Sequence, residues 1–333
     1  MKKYRPLCSL FLLLLFSCQQ KIKRYEINGE TQGTTYHIVW YATRPTISQQ
    51  EVDSLLDAFD QVASLYNEHS ELVQLNARHV DTVSSMLADL LQKSLDYAEL
   101  TNGYFDITVA PLVKKWGFIR KQNTLPDSAE IDSLLRCVGY KYLHLEGHRV
   151  KFDKPCVEID LNAIAQGYSV DLLANYFEKK GVHDYIVEVG GEVRAAGKKP
   201  DGSLWTVGIE KPTNSPDAPK EVFKKVRFTN KSLATSGTTR KFYVKNGVKY
   251  SHAIDPFTGY PVQHTLLMVT VIAPTCTEAD ALATAFLVMG KEKARALLSE
   301  KFPGVDAFFI SGDSTGGFQT ESTPGFAKIL VSE

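Results

Sequence analysis

The alternation of apolar and polar residues changes period along the chain, and the changes mark out the elements it should form. Residues 25–27 and 34–41 read as strands, with Asn28-Gly29 between them as a hairpin turn signal. Behind the capping box Ser48-Gln49-Gln50-Glu51, Val52, Leu55, Leu56, Phe59, Val62, Ala63 and Tyr66 recur at helical spacing. A short apolar run at 72–76 follows a polar turn. Met86, Leu87, Leu90, Leu91, Leu95 and Ala98 then define another helix, begun at Ser84 or Ser85 and ended by Thr101-Asn102-Gly103. Residues 104–109 read as a strand that turns Asp106 away from Phe105 and Ile107. Asp127-Ser128-Ala129-Glu130 caps a third helix, and 142–145 with 149–152 form a hairpin around Gly147.

The middle of the chain reads as strand, helix, strand. Residues 157–161 are the first strand, and Asn162 is the N-cap. Ile164, Gly167, Val170, Leu173, Ala174 and Phe177 carry a helix that ends at Gly181, and 185–189 follow as the second strand. Beyond this unit the period is mostly two, at 194–196, 205–210, 222–228, 232–235, 241–244, 248–254 and 266–272, with a surface loop at 212–219. Helices are expected at 277–289, ended by Gly290, and at 291–299, before last strands near Phe308 and Ile329. Early helices, late antiparallel strands and one βαβ unit between them make the class α+β, with no clean boundary for two independent domains.

Composition changes this picture little. The chain has 333 residues, and its 38 Lys+Arg balance 38 Asp+Glu. There is then no global pull toward nucleic acid or anionic lipid, and any polyanion site must be local. The first eighteen residues differ: Lys2, Lys3 and Arg5 precede an apolar run at 10–16, too short to span a membrane but suited to a secretory signal. Leu15-Phe16-Ser17-Cys18 resembles a lipobox, with Cys18 as the lipidated mature N-terminus; a plain signal peptide is the alternative. The organisation expected is a signal at 1–18, a tether at 19–24 and the folded domain at 25–333. Cys8 departs with the signal. Cys137, Cys156 and Cys276 make neither a metal motif nor an even disulfide framework, and read as small buried side chains of which a pair could bridge in an oxidising compartment.

Several stretches carry candidate chemistry. Asp160 beside the free N–H groups of a helix start makes a phosphate-binding end, or an ordinary capped helix. Spacing of four places the Asp280 carboxylate and the Thr284 hydroxyl on one helix face, two hard oxygens that suit Mg²⁺ completed by substrate phosphates. Thr277-Glu278-Ala279-Asp280 reads equally as a capping pattern with Asp280 at its acidic third position. His252, leaving a strand for the turn Asp255-Pro256-Phe257-Thr258-Gly259, is either a general base or a turn histidine. Residues 234–240 could cradle an anion through backbone N–H groups and Arg240, though they lack the lysine and spacing of a P-loop.

Nine short stretches in register carry a resemblance: Gln32-Gly33-Thr34-Thr35-Tyr36, 64–76, Gly103 to Thr108, Trp116-Gly117-Phe118, Asp160 to Asp171, Glu188-Val189-Gly190-Gly191-Glu192, Ser236-Gly237, His252 to Gly259 with Pro261, and Ala279 to Thr284. Together they resemble the FAD:protein FMN transferase family, the ApbE lipoproteins. The resemblance implies a T-fold-related domain and an Mg²⁺-dependent transfer of FMN from FAD to a Thr or Ser hydroxyl of an extracytoplasmic redox flavoprotein, releasing AMP. It implies a metal held by the Ala163 carbonyl, Asp280 and Thr284, and flavin or adenosine contacts from Gln32, Tyr66, Tyr104, Phe105, Asp106, Asp160, Gln166 and Ile254. His252 is the base expected to take the acceptor proton. Gln166 stands where many relatives carry lysine and Gln32 where methionine is frequent, departures that touch single contacts and not the family. The protein is then expected on a membrane by its lipid anchor, facing the periplasm. The rival readings are an FAD pyrophosphatase giving FMN and AMP, and a flavin-binding lipoprotein without turnover.

Overall fold

The computed structural model describes residues 21–119, 122, 124–213, 215 and 217–332. The signal at 1–18, with Cys8 and Cys18, and the first two tether residues lie outside the described residues. The chain opens with a hairpin, β1 (Lys23–Thr31) and β2 (Thr34–Ala42). Its turn is Gln32-Gly33, at φ of 51° and 70°, not the Asn28-Gly29 pair that composition suggested. Two successive left-handed residues match the twist of the strands they join. Gly29 serves another end inside β1: Tyr36 ring atoms lie 2.6 Å from where its Cβ would stand, so glycine seats that ring.

The capping box of α1 (Gln49–Ala63) is formed, with Ser48 Oγ accepting from the Glu51 N–H and the Glu51 carboxylate from the Ser48 N–H. α2 (Glu71–Asn76) and α3 (Ser85–Leu100) begin at Ser70 and Ser84. Residues 104–109, expected as a strand, turn instead. Asp106 accepts from both the N–H and the hydroxyl of Thr108, which curls the chain into α4 (Ala110–Lys115). α5 (Ser128–Leu135), capped by Asp127, leads to the hairpin β3 (Leu143–Glu146) and β4 (Arg149–Phe152).

The expected βαβ unit does not form. Residues 157–161 make only an isolated bridge, between Glu158 and Val109. Asn162 is not a helix cap, because Asp160 Oδ1 takes its N–H at 2.8 Å and closes a turn, so α6 (Ala165–Lys179) starts three residues later. Its end matches expectation, with Gly181 at φ 77°. β5 (Tyr185–Val189) then pairs antiparallel with β2 on one side and with β6 (Glu192–Ala196) on the other.

The remaining elements are β7 (Trp205–Glu210), β8 (Val222–Phe228), β9 (Lys231–Gly237), β10 (Phe242–Lys245), β11 (Val248–Ser251), β12 (Leu266–Ala273), α7 (Cys276–Met289), α8 (Lys291–Lys301), β13 (Asp306–Gly312), β14 (Phe318–Ser322) and α9 (Pro324–Ala327). Ile329 lies in a turn after α9, not in a strand; its carbonyl accepts from Arg227 N–H on β8.

Eight strands join in the order β1-β2-β5-β6-β9-β12-β13-β14, and every neighbouring pair is antiparallel. Alternation sorts their side chains into two cores. Tyr36, Ile38, Trp40, Val187, Val269, Val271 and Phe309 face the helices, whereas Val39, Val193, Met268, Ile272, Phe308 and Ile310 face β7, β8 and α9. α7 is apolar almost all round and lies against β9 and β12 at the centre of the helical layer. A smaller cluster of Leu112, Trp116, Ile131, Val138 and Ile254 joins α4 and α5 to the β10-β11 hairpin. Cys137 and Cys156 are bridged, with Cα atoms 5.4 Å apart, and Cys276 is free and buried. A sheet with helices packed on it and a second layer beneath is the α+β class expected.

Candidate active site

The site forms where the start of α6 meets the first turns of α7. α7 is capped by Thr275, whose hydroxyl accepts from the Glu278 N–H at 3.2 Å. Asp280 is therefore a full turn inside the helix and takes no part in capping. Its Oδ2 instead accepts from the Gly167 N–H of α6 at 2.9 Å. Gly167 makes that approach possible: a Cβ there would lie 2.4 Å from the Cys276 carbonyl oxygen and 2.7 Å from Asp280 Cβ. Asp171, one turn further along α6, accepts from the N–H groups of Cys276 and Thr277 and from the Thr277 hydroxyl, at 2.9, 2.8 and 2.7 Å, and locks the two helices together.

Gly167's choice of partner has a second effect. In a continuous helix its N–H would go to the carbonyl of Ala163; that bond is not made, and the Ala163 carbonyl receives no backbone N–H from the described residues. Thr284, one turn beyond Asp280, shares a hydrogen bond of 2.9 Å with Ser236 Oγ at the end of β9. Carbonyl, carboxylate and hydroxyl are the hard oxygen donors that Mg²⁺ takes, with room left for substrate phosphates. Two buried carboxylates test the fit. Burial pushes Asp280 up to about 7, against the Gly167 N–H and the charge of Lys241. Glu192, 7 % exposed, is raised by burial and then by the charge of Asp280, and its Oε2 has no hydrogen-bond partner among the described residues. A pair of buried carboxylates short of positive charge suits a cation. Among the described residues there is no cluster of three or more His, Cys, Asp and Glu that could hold a metal. A cation here would depend on the bared carbonyl, the hydroxyl and the substrate's own oxygens.

His252 lies just past β11, partly buried with its ring beside Phe118. Its N–H and its Nδ1 both meet the Lys241 carbonyl, at 3.1 and 3.2 Å. A carbonyl only accepts, so Nδ1 carries the proton and Nε2 the lone pair. Burial and then the charge of Lys241 push its pKa down to about 4, so the ring is a neutral base at physiological pH.

The other expected contact residues fall into two groups. Tyr66 is 66 % exposed, and Tyr104 stands edge-on to Phe257 with its hydroxyl accepting from Lys293 Nζ at 2.6 Å. Both offer ring surface to a flat ligand. Gln32 Nε2 is buried without a hydrogen-bond partner among the described residues. Asp160 is buried, which pushes its carboxyl upward, and Gln166 Nε2 lies against the backbone of Gly190. Phe105 and Ile254, by contrast, are core side chains, which leaves mainly their backbone for a ligand. Asp106 spends its oxygens on Thr108 and on the Tyr140 N–H. It helps shape an open cleft of about 420 Å³ lined also by Asn102, Gly103, Tyr140 and Phe257.

Sequence reasoning did not single out Glu192, Gly167 or Lys241. Glu192 and Gly167 lie within family-like stretches, but only the packing of α6 on α7 reveals what each does.

The ApbE family model matches residues 32–309. The FAD:protein FMN transferase of Escherichia coli K12 is 36 % identical over 323 residues, covering 92 % of this chain and 89 % of that protein. The protein of the same name from Vibrio cholerae is 35 % identical over 297 residues, covering 86 % and 87 %. Among solved structures, the flavin transferase ApbE from Vibrio cholerae superposes with a TM-score of 0.82 at 32 % identity, over 93 % of this chain and all of that one.

Proposed function

The chain belongs to the ApbE family and is an enzyme that transfers flavin from FAD to protein; we propose that it does so in the following way. FMN passes to a Thr or Ser hydroxyl of an extracytoplasmic redox flavoprotein, with Mg²⁺ as cofactor. The observations that support this reading are the Gly167 N–H given to the buried Asp280 carboxylate and not to the Ala163 carbonyl, and the Thr284 hydroxyl one turn beyond Asp280 on α7. These three oxygen groups would hold the cation, and a bound Mg²⁺ would neutralise charge on the pyrophosphate oxygens as the phosphoryl group moves. Tyr66 and Tyr104 orient the rings of FAD, and Gln32, Asp160 and Gln166 lie along its path. Backbone at Phe105, Asp106 and Ile254 completes the walls.

Nε2 of His252 accepts the proton of the acceptor hydroxyl. The freed oxygen bonds to the FMN-side phosphorus, the bond from that phosphorus to the bridging oxygen breaks, and AMP leaves with the electron pair. An alcohol needs such a base at neutral pH, and an imidazole whose Nδ1–H is already held by a carbonyl presents its lone pair. We propose further that Cys18 is lipidated and that residues 19–22 tether the domain to a membrane facing the periplasm, the last two residues of the expected tether, Lys23 and Arg24, being already paired in β1. No helix of the described residues is long and apolar enough to cross a membrane.

Incubation with FAD, Mg²⁺ and a candidate acceptor tests the reading. Flavin fluorescence on the acceptor band is expected; free FMN plus AMP alone would make the protein a pyrophosphatase, and unchanged FAD a flavin store.

A further inference from the structure

The pyrophosphate of FAD carries negative charge, yet the start of α6 offers it only the neutral amide of Gln166. The cations around the site are mostly engaged elsewhere. Arg240 is turned toward β7, where its Nε donates to Glu210 at 2.6 Å. Lys114 is paired with Glu158, Arg194 with Asp171 and Glu178, and Lys293 with the Tyr104 hydroxyl. Lys241 is different: its side chain is exposed, and its ammonium makes no hydrogen bond or ion pair among the described residues.

Its place in the chain is informative. Residues 237–241 run from Ser236, bonded to Thr284, to the Lys241 carbonyl that holds both the N–H and Nδ1 of His252. The Thr238 N–H pins the middle of this loop to the Leu267 carbonyl at 2.9 Å. One end of a short anchored loop thus belongs to the proposed cation side and the other to the proposed base, and Lys241 stands at the latter. Arg240 and Lys241 are neighbours, and with Arg240 drawn to Glu210 the free positive charge is that of Lys241. The field of that charge reaches Asp160, Asp280, Glu192 and His252 alike, lowering the pKa of each.

We propose that Lys241 binds the pyrophosphate of FAD, taking the charge role that Gln166 does not fill. The assignment rests on the FAD-binding reading above. A flexible ammonium on an anchored loop can reach a phosphate oxygen as a point charge, without the planar fit an arginine needs. Because only the backbone of Lys241 touches His252, substitution of its side chain leaves that contact in place.

Equilibrium binding in metal-free buffer at low salt tests this, with FAD and with riboflavin, which has no phosphate. Lys241→Gln should weaken FAD about ten- to a hundredfold, the range of a hydrogen bond to a charged group, and flatten the salt dependence. Riboflavin binding should not change. Lys241→Arg should keep most of the FAD affinity, and adding Gln166→Lys to Lys241→Gln should recover part of it. Wild-type FAD affinity in Lys241→Gln, or equal loss toward riboflavin, overturns the assignment while leaving the function intact. A wild-type protein that binds no FAD overturns both.

Discussion

At the scale of single residues the structure separates roles that spacing left equal. Asp280 reads as a cap or a ligand in the sequence, and the hydrogen bond from the Glu278 N–H to the Thr275 hydroxyl removes the first of these. Asp280→Ala should therefore abolish Mg²⁺-dependent transfer at little cost to the fold, since the one bond lost, from Gly167, is worth about 1 kcal/mol. Full turnover in that variant would remove Asp280 from the cation site. The sign of its pH effect follows from a folded pKa raised to about 7. Below the usual carboxylate range both folded and unfolded states hold the proton. As pH rises through that range toward 7 only the unfolded state ionises freely, so metal-free stability falls. Melting temperatures with and without Mg²⁺ should consequently draw together near pH 5 and separate near pH 8, where the cation binds the ionised form. A constant gap across that range would deny the carboxylate its role.

His252 shifts the other way. With its pKa near 4 it is neutral through the physiological range, so protonation of this base should not limit transfer until well below pH 6. His252→Ala should slow single-turnover transfer by about 10²–10⁴-fold while FAD affinity barely moves. Loss of both together, or of neither, would exclude it as the base.

At the scale of elements, what was legible depended on whether the signal is local. The capping boxes at Ser48 and Asp127, the strand at 185–189 and the helix end at Gly181 all rest on neighbours in sequence, and all are where the pattern puts them. The misplaced elements are those where a side chain competes for the backbone. Asp106 and Asp160 each accept an N–H two residues on, which curls 104–109 and 157–162 into turns despite their apolar, strand-like content. The site divides similarly: Asp280, Thr284 and His252 stood out by residue type, but the baring of Ala163 depends on a contact between helices more than a hundred residues apart. Gly167→Ala probes that contact. Its methyl group would meet the Cys276 carbonyl at 2.4 Å and force α6 and α7 apart, at a cost of about 1–3 kcal/mol. Mg²⁺ affinity should fall with it, measurable by Mn²⁺ titration followed by electron paramagnetic resonance. Unchanged Mn²⁺ binding would mean that the junction does not shape the site.

At the scale of the molecule, an antiparallel sheet between two cores gives the site a rigid floor, while the cleft beside it is walled by turns. Those turns are joined by the bridge of Cys137 to Cys156, which ties the stretch from Val138 to Tyr140 to the one that delivers Asp160. The cysteines looked unremarkable in sequence because their spacing fits no framework; only the fold brings them together. The proposed membrane attachment belongs to this scale too. Cys18→Ala should free the protein from membranes without altering its chemistry, and a variant that still pellets with them would refute the lipid anchor.

The bridge gives the protein a history as well as a shape. Such a bond closes in an oxidising compartment and stays open in a reducing cytoplasm. On the proposed export, a newly made chain still in the cytoplasm would thus carry a cleft whose clasp is undone. Maturation would then be timed by address, with full competence acquired only on arrival. Protein made in the cytoplasm and kept reduced should bind FAD more weakly and melt earlier than the same protein after oxidation, and identical behaviour of the two preparations would show that the clasp is merely structural.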